Sequence, residues 1–525
     1  MEERGLEMMS RELKRKSKKG LFNLLFSRMG LILLLFLLHL GIMFAVFRWL
    51  SASLLQVYGA SIALAVVMVM ILLMSRSNPS IKLTWLIIIM VLPVFGALLY
   101  VYTKSDLGHR ALGDRLQQIM KVTTYTAPVL PAAEELRQKN GGAAALSDYL
   151  RRKGYPIYDD SAVTYFPSGE EKWKALLQQL EQAEKFIFLE YFIIAEGVMW
   201  QSVLDILERK VAQGVEVRLM YDGTCEFVHL PIGYLEELRN RGIKCKVFSP
   251  LRPFVSTHYN YRDHRKIVVI DGCVAFTGGV NLADEYINVE ERFGHWKDTA
   301  VMLRGEAADS FTRMFLQLWD LDEKRLSDYG RYLHCTGTVP EKTEGYVAPY
   351  GDSPLDKDPV GERVYMDLLN RARRYVHIMS PYLILDGEME TALKFAAERG
   401  VDVTLILPGI PDKKIPYGLA FTHYASLLES GVKIYEYVPG FVHAKVFVCD
   451  DCEATVGTVN LDYRSLYHHF ECGTYLYGVE CIGQIEADFT ETLKKCRRVT
   501  HQTLRKGNWL RRITGFVFKS LAPLL

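Results

Sequence analysis

The chain has 525 residues, enough for two or three domains at roughly 150 residues each. Lysine and arginine total 63 against 61 for aspartate and glutamate, a balance that gives no reason to expect a nucleic-acid partner. Nine cysteines without paired-ligand spacing argue against a full disulfide framework and a structural zinc site, and they read mostly as buried free thiols, Cys449 and Cys452 included.

Residues 1–28 carry a basic block, Arg11, Lys14, Arg15, Lys16, Lys18 and Lys19, which favours a cytoplasmic N-terminus. Three apolar runs follow within residues 29–103: Leu31 to Phe47, Leu54 to Met74 and Leu83 to Tyr102. Each is close to the ~20 residues that a helix needs to cross the hydrocarbon of a bilayer, so two or three transmembrane helices are predicted. The first run is too long for the apolar part of a signal peptide and has no small-residue cleavage site. Three full spans would place the large remainder outside. Two spans and one in-plane helix keep it on the cytoplasmic side, which Lys104, Arg110, Arg115 and Lys121 favour.

Residues 104–150 read as a linker. Beyond it Phe186 to Ile194 is predicted as a buried strand, Val203 to Val211 as an amphipathic helix and Val215 to Tyr221 as a second strand. The same order returns at Tyr375 to Leu385, Met389 to Glu398 and Val401 to Leu407. The pivots correspond, Gln213-Gly214-Val215-Glu216-Val217 with Arg399-Gly400-Val401-Asp402-Val403. This predicts an α/β fold of two sandwich repeats, over residues 151–335 and 336–500, packed with pseudo-twofold symmetry. Residues 501–525 alternate Arg505, Lys506, Arg511, Arg512 and Lys519 with Trp509, Ile513, Phe516, Val517 and Phe518. That composition suits a basic amphipathic helix, either in an anionic bilayer interface or docked on the domain.

Each repeat delivers the same cluster. The first is His264-Arg265-Lys266, Asp271 and Gly278-Gly279-Val280-Asn281; the second is His443-Ala444-Lys445, Asp450 and Gly457-Thr458-Val459-Asn460. Spacing is identical: Lys two after His, Asp five after Lys, Asn ten after Asp. Residues i and i+2 of a strand share a face, so each His and Lys can reach one space. Phosphodiester exchange needs a nucleophile, an acid for the leaving alcohol and positive charge around the non-bridging oxygens. Two His and two Lys supply all three without a metal. Asn281, Asn460, Thr458 and the Gly279 backbone are the expected phosphate contacts. Because one copy holds one imidazole, both repeats must face a common cleft. Asp271 and Asp450 complete the catalytic motif, as hydrogen-bonded loop anchors rather than proton carriers.

An imidazole nucleophile needs an acceptor on its second nitrogen to hold the tautomer. Asp298 and Glu471, each seven residues before a glycine, Gly305 or Gly478, occupy matching places and are assigned as the supporting carboxylates. His229, His258, His377 and His468 read as packing or surface residues, while His423 with Tyr424 is placed along the substrate path.

These residues resemble the phospholipase D superfamily, whose signature is a duplicated HxK, Asp and Gly-x-x-Asn arrangement. Asn260 to Lys266, Gly278 to Tyr286, Ser380-Pro381-Tyr382 and Asn460 to Ser465 look like those of bacterial cardiolipin synthases. The resemblance implies a multi-pass enzyme of a bacterial cell membrane that condenses two phosphatidylglycerols into cardiolipin and glycerol through a phosphohistidine, on anionic lipids and without metal or cofactor. The alternative is a membrane phospholipase D hydrolase, in which water replaces the lipid alcohol. Related motifs serve nucleases, but a basic, aromatic-lined groove is expected there and the apolar N-terminus gives no reason for one; the sequence leaves the oligomeric state open.

Overall fold

A computed structural model of the chain describes residues 54–505, apart from 76–77, 105–106, 124–130, 251–260, 335–343 and 357, with single positions on either side. Two compact units emerge: residues 1–110 with 251–259, and residues 111–250 with 260–523. Most of the first apolar run and of the C-terminal basic segment lies outside the described residues.

In the N-terminal unit the second apolar run is one helix, α1 (Leu54–Met74), without a charged residue. The third run, expected as a single segment, is broken into α2 (Pro79–Val91) and α3 (Pro93–Lys104). Pro93 has no N–H to donate, its ring would clash with the carbonyl four residues back, and it drives Leu92 out of the helical region to φ −133°, ψ 75°. The two pieces fold back on one another: Trp85 meets Tyr100 edge-on at 5.2 Å, and a Cβ on Gly96 would stand 2.8 Å from the Ile89 Cα. Among the described residues no helix is long and apolar enough to cross a membrane. The third run, predicted as a span or an in-plane helix, is thus a pair of short helices packed as a hairpin.

The larger unit carries the duplication. Its first half has β1 (Ala162–Phe166), β2 (Phe186–Tyr191), β3 (Glu216–Asp222), β4 (Lys244–Phe248), β5 (Arg262–Asp263), β6 (Lys266–Ile270), β7 (Val274–Gly278), β8 (His295–Lys297) and β9 (Ala300–Arg304). Its second half has β10 (Tyr346–Asp352), β11 (Tyr375–Met379), β12 (Asp402–Pro408), β13 (Lys433–Tyr437), β14 (Gly440–Val442), β15 (Val446–Cys449), β16 (Glu453–Gly457), β17 (His469–Tyr477) and β18 (Cys496–Arg498). The first sheet runs β1-β9-β7-β6-β2-β3-β4 and the second β10-β17-β16-β15-β11-β12-β13-β18, so the seven shared places correspond strand for strand.

The apolar runs after each motif lysine are uninterrupted because their strands are buried on both faces. Ile267 and Val269 of β6, with Val446 and Val448 of β15, enter one central core shared by both sheets. Val268 and Ile270 enter an outer layer of the first repeat, and Phe447 and Cys449 an outer layer of the second. Two helices fill the shared core, α4 (Ala308–Trp319), buried on nearly every side, and α5 (Cys481–Leu493). Of the C-terminal segment, Phe518 and Ala522 pack with Ile384, Leu419 and Tyr463 of the second repeat. Seven described cysteines are free thiols, whereas Cys273 is disulfide-bonded.

Candidate active site

Each motif histidine is stitched to the opposite repeat by a short parallel strand pair. β5, just before His264, pairs with the start of β17, and the His264 N–H donates to the Phe470 carbonyl at 2.9 Å. β14, just before His443, pairs with β8, and the His443 N–H donates to the Lys297 carbonyl at 2.7 Å. The residue after each of these acceptors is an acid, Glu471 or Asp298. The backbone pairing thus delivers each imidazole to a carboxylate from the other half of the chain.

The carboxylate contacts are crossed accordingly. His264 Nδ1 lies 3.0 Å from both Glu471 oxygens, and His443 Nδ1 lies 2.7 Å from Asp298 Oδ2. Burial on its own would raise the Asp298 pKa, but His443 and Lys445 outweigh it and hold this carboxyl below its usual value. An ionised carboxylate only accepts, so it holds the proton on Nδ1 and leaves the Nε2 lone pair for chemistry.

Lys266 Nζ donates to the His264 carbonyl at 2.5 Å, and Lys445 Nζ makes the equivalent bond to the His443 carbonyl. Burial lowers Lys266 to about 8 and Lys445 to about 7. His443 is pushed down to about 4 by burial and by Lys445. His264 is held well below its ordinary value by burial and then by Lys266, Lys445, His443 and Lys413. Charges from both repeats act on one ring, so the two motifs converge on a single site.

Comparison with known proteins places the chain in a family. The family described as "Cardiolipin synthase, PLD-like domain" matches residues 176–319 and 365–493. The chain belongs to the phospholipase D-like cardiolipin synthase family. It is a phosphatidyltransferase by that membership. A second family, described as "Phospholipase_D-nuclease N-terminal", matches residues 63–102. A cardiolipin synthase of Geobacillus thermodenitrificans is 34% identical over 481 residues, 90% of this chain and 95% of that protein. An uncharacterized protein of Streptococcus mutans is 56% identical over 449 residues, 84% of this chain and 96% of that one. The crystal structure of a Haemophilus influenzae phosphatidylserine synthase shares the fold, with a TM-score of 0.56 at 16% identity over 74% of this chain and all of that one.

Within this family member the remaining motif residues take several places. Asp271 and Asp450, grouped with the catalytic set from spacing, sit at the far ends of β6 and β15, about 15 Å of strand from the lysines. Their carboxylates cap the backbone: Asp271 accepts from the N–H groups of Glu184, Lys185 and Phe186, and Asp450 from those of Arg373, Arg374 and Tyr375. Both adopt positive φ, 54° and 53°. They anchor loops and do not reach the imidazoles.

Most of the expected phosphate contacts have hydrogen-bond partners within the protein. The Thr458 hydroxyl donates to Glu471 and accepts from the Cys472 N–H at 2.9 Å, so it braces the carboxylate. Asn281 is committed to the Ile193 N–H at 3.0 Å and the Tyr286 hydroxyl at 2.7 Å. The Gly279 N–H is held by the Thr299 carbonyl at 3.0 Å. Asn460 is different: its buried Oδ1 has no hydrogen-bond partner among the described residues. A Cβ on Gly279 would stand 2.0 Å from Asp298 Oδ1, which explains glycine where the second repeat has Thr458. Gly279→Ser is expected to displace Asp298 and lower turnover by at least about 10²-fold, with a stability loss of ~1–3 kcal/mol from overpacking. Turnover in lipid vesicles together with a urea unfolding midpoint checks both effects, and wild-type values for the variant would contradict the crowding argument.

Sequence reasoning missed the ring that backs each imidazole. Trp296 lies 5.3 Å from His443 between ring centres, and His469, at the equivalent place, lies 5.5 Å from His264. Phe192 and Tyr286 complete the two surrounds, at 5.0 Å from His264 and 5.4 Å from His443. The available signal was alignment of the two repeats, since Trp296 and His469 each precede their supporting carboxylate by two residues. Of the pair assigned to the substrate path, Tyr424 lines a small cavity with Pro381, Tyr382, Lys413 and Phe441, whereas His423 is buried and paired with Glu390 at 2.8 Å.

Proposed function

We propose that the chain is a membrane-bound bacterial cardiolipin synthase that joins two phosphatidylglycerols and releases glycerol through a phosphohistidine. The observation that supports this reading is the crossed pairing, in which His264 Nδ1 meets Glu471 and His443 Nδ1 meets Asp298, each carboxylate from the opposite repeat. One Nε2 attacks phosphorus, the bond to the head-group glycerol breaks, and the other imidazole protonates the departing oxygen. That second ring, now neutral, takes the proton from the hydroxyl of the next phosphatidylglycerol, whose oxygen displaces the histidine. Atoms balance, with two phosphatidylglycerols giving cardiolipin and glycerol, and no cofactor enters. The lysines offset the phosphate charge through both steps. The apolar N-terminal segments and the basic block before them anchor the enzyme to anionic lipid.

A bound phosphate opposes the lysine charges and so raises the imidazole pKa, which lets the acid partner carry its proton. The same reasoning sets a pH dependence. The lysines must be protonated to hold phosphate, and their pKa values of about 7 and 8 lie within the working range. Expected is a fall in kcat/KM as pH rises through about 7–8. The limb in kcat lies higher, because bound phosphate stabilises the ammonium groups. Flat kcat/KM from about pH 6 to 9 would remove the lysines from this role.

The deciding experiment is the full chain reconstituted in phosphatidylglycerol vesicles with lipid and glycerol analysis. Cardiolipin with stoichiometric glycerol supports the proposal. Phosphatidic acid as the dominant product assigns a hydrolase instead, and no turnover by folded protein overturns both.

A further inference from the structure

The two halves of the site differ in the ring behind the imidazole. Where the first repeat supplies the Trp296 indole, the second supplies the His469 imidazole. Filling space explains an aromatic ring in that place but not its nitrogens. Both ring nitrogens of His469 are buried without a hydrogen-bond partner among the described residues, and leaving a buried polar group unsatisfied is costly. A metal ion that accepts the lone pair of Nδ1 would satisfy that nitrogen and leave Nε2 carrying the proton.

His264, His469 and Glu471 each present a ligand atom, all within 4.8 Å of one another. His264 Nδ1 and His469 Nδ1 lie 3.0 and 3.7 Å from Glu471 Oε1. Bonds of about 2.0–2.2 Å at a tetrahedral zinc ion set ligand atoms about 3.3 Å apart, a figure these two edges bracket. Two imidazoles and one carboxylate form a donor set suited to zinc and its neighbours, and poorly suited to magnesium or calcium. We propose that His264, His469 and Glu471 bind one divalent cation of the zinc type, and that this ion inhibits the enzyme. The first repeat has no equivalent, because an indole N–H offers no lone pair.

Inhibition follows from the tautomer. Coordination through His264 Nδ1 moves its proton to Nε2, with no proton released and no change of oxidation state. Nε2 then has no lone pair with which to attack phosphorus or accept a proton. This inhibitory half rests on the function proposed above, whereas ion binding does not.

The test uses full-length protein in detergent, stripped with a chelator. Zinc affinity is read by competition with a chromophoric chelator, and Co²⁺ occupancy by its visible d–d absorption. Cardiolipin formation is followed in parallel at rising Zn²⁺. Expected are one ion per chain and loss of turnover as the site fills. In His469→Gln both the affinity and the half-inhibiting concentration should weaken by at least about tenfold, the lower end of what even outer-shell partners contribute. Trp296→Phe should leave the zinc affinity at the wild-type value. His469→Cys, which restores a ligand, should keep Co²⁺ binding and add a sulfur-to-metal charge-transfer band. Absence of stoichiometric binding, wild-type affinity in His469→Gln, or no such band in the cysteine variant each overturns the site. Binding that leaves turnover intact overturns the inhibitory half alone. Zinc binding by a protein that makes no cardiolipin supports the ion site and counts against the proposed function.

Discussion

Replacing either His264 or His443 by glutamine is expected to lower cardiolipin formation by at least about 10³-fold, with neither variant retaining a half-rate. The size follows from the division of labour. In the proposed reaction one ring forms the bond to phosphorus and the other moves the proton, and His469 is no spare: it is buried behind His264, where burial holds its pKa down to about 3. Both rings contact the opposite repeat through their carboxylates, so an independent half-site is physically excluded by this arrangement. Initial rates in phosphatidylglycerol vesicles measure the effect. A single variant at the wild-type rate would defeat the shared site.

The second expectation concerns Asp298 and Glu471. Asp298→Asn and Glu471→Gln should each reduce kcat by roughly 10²–10⁴-fold, because an amide can present an N–H to Nδ1 and so favour the tautomer with its proton on Nε2. The crossed pairing gives this a sharper readout than rate alone. With labelled phosphatidylglycerol, the phosphatidyl-enzyme trapped in Asp298→Asn should resemble that of His443→Gln, and the one in Glu471→Gln that of His264→Gln. The opposite match would show each carboxylate serving the histidine of its own repeat. A loss of the Thr458 hydroxyl, which braces Glu471, would add to the second pattern only.

Much of the framework was legible beforehand, for reasons that individual residues show. The buried run Ile267 to Ile270 is apolar at every position because one face enters the shared core and the other an outer layer, and such strands carry no alternation. The duplicated pivots at Gly214 and Gly400 both take positive φ, 89° and 92°, which is why glycine recurs at those turns. Pro93 was present in the third apolar run, yet a count of apolar residues outweighed it, and the structure breaks the helix there. Thr458 is among the phosphate contacts that the sequence leads one to expect. The contact that gives it a different task comes from Glu471, thirteen residues further on.

The sequence alone determined which chemistry the chain carries: the His, Lys and Asn spacing, its duplication, and the strands that present it, all features encoded within a few residues along the backbone. Only the tertiary structure decided which carboxylate serves which imidazole. Those partners are 207 and 145 residues apart, and they meet because β5 and β14 each pair with a strand of the other repeat. Local periodicity says which face a side chain takes, and it carries no information about the sheet edge that will come to lie against that face.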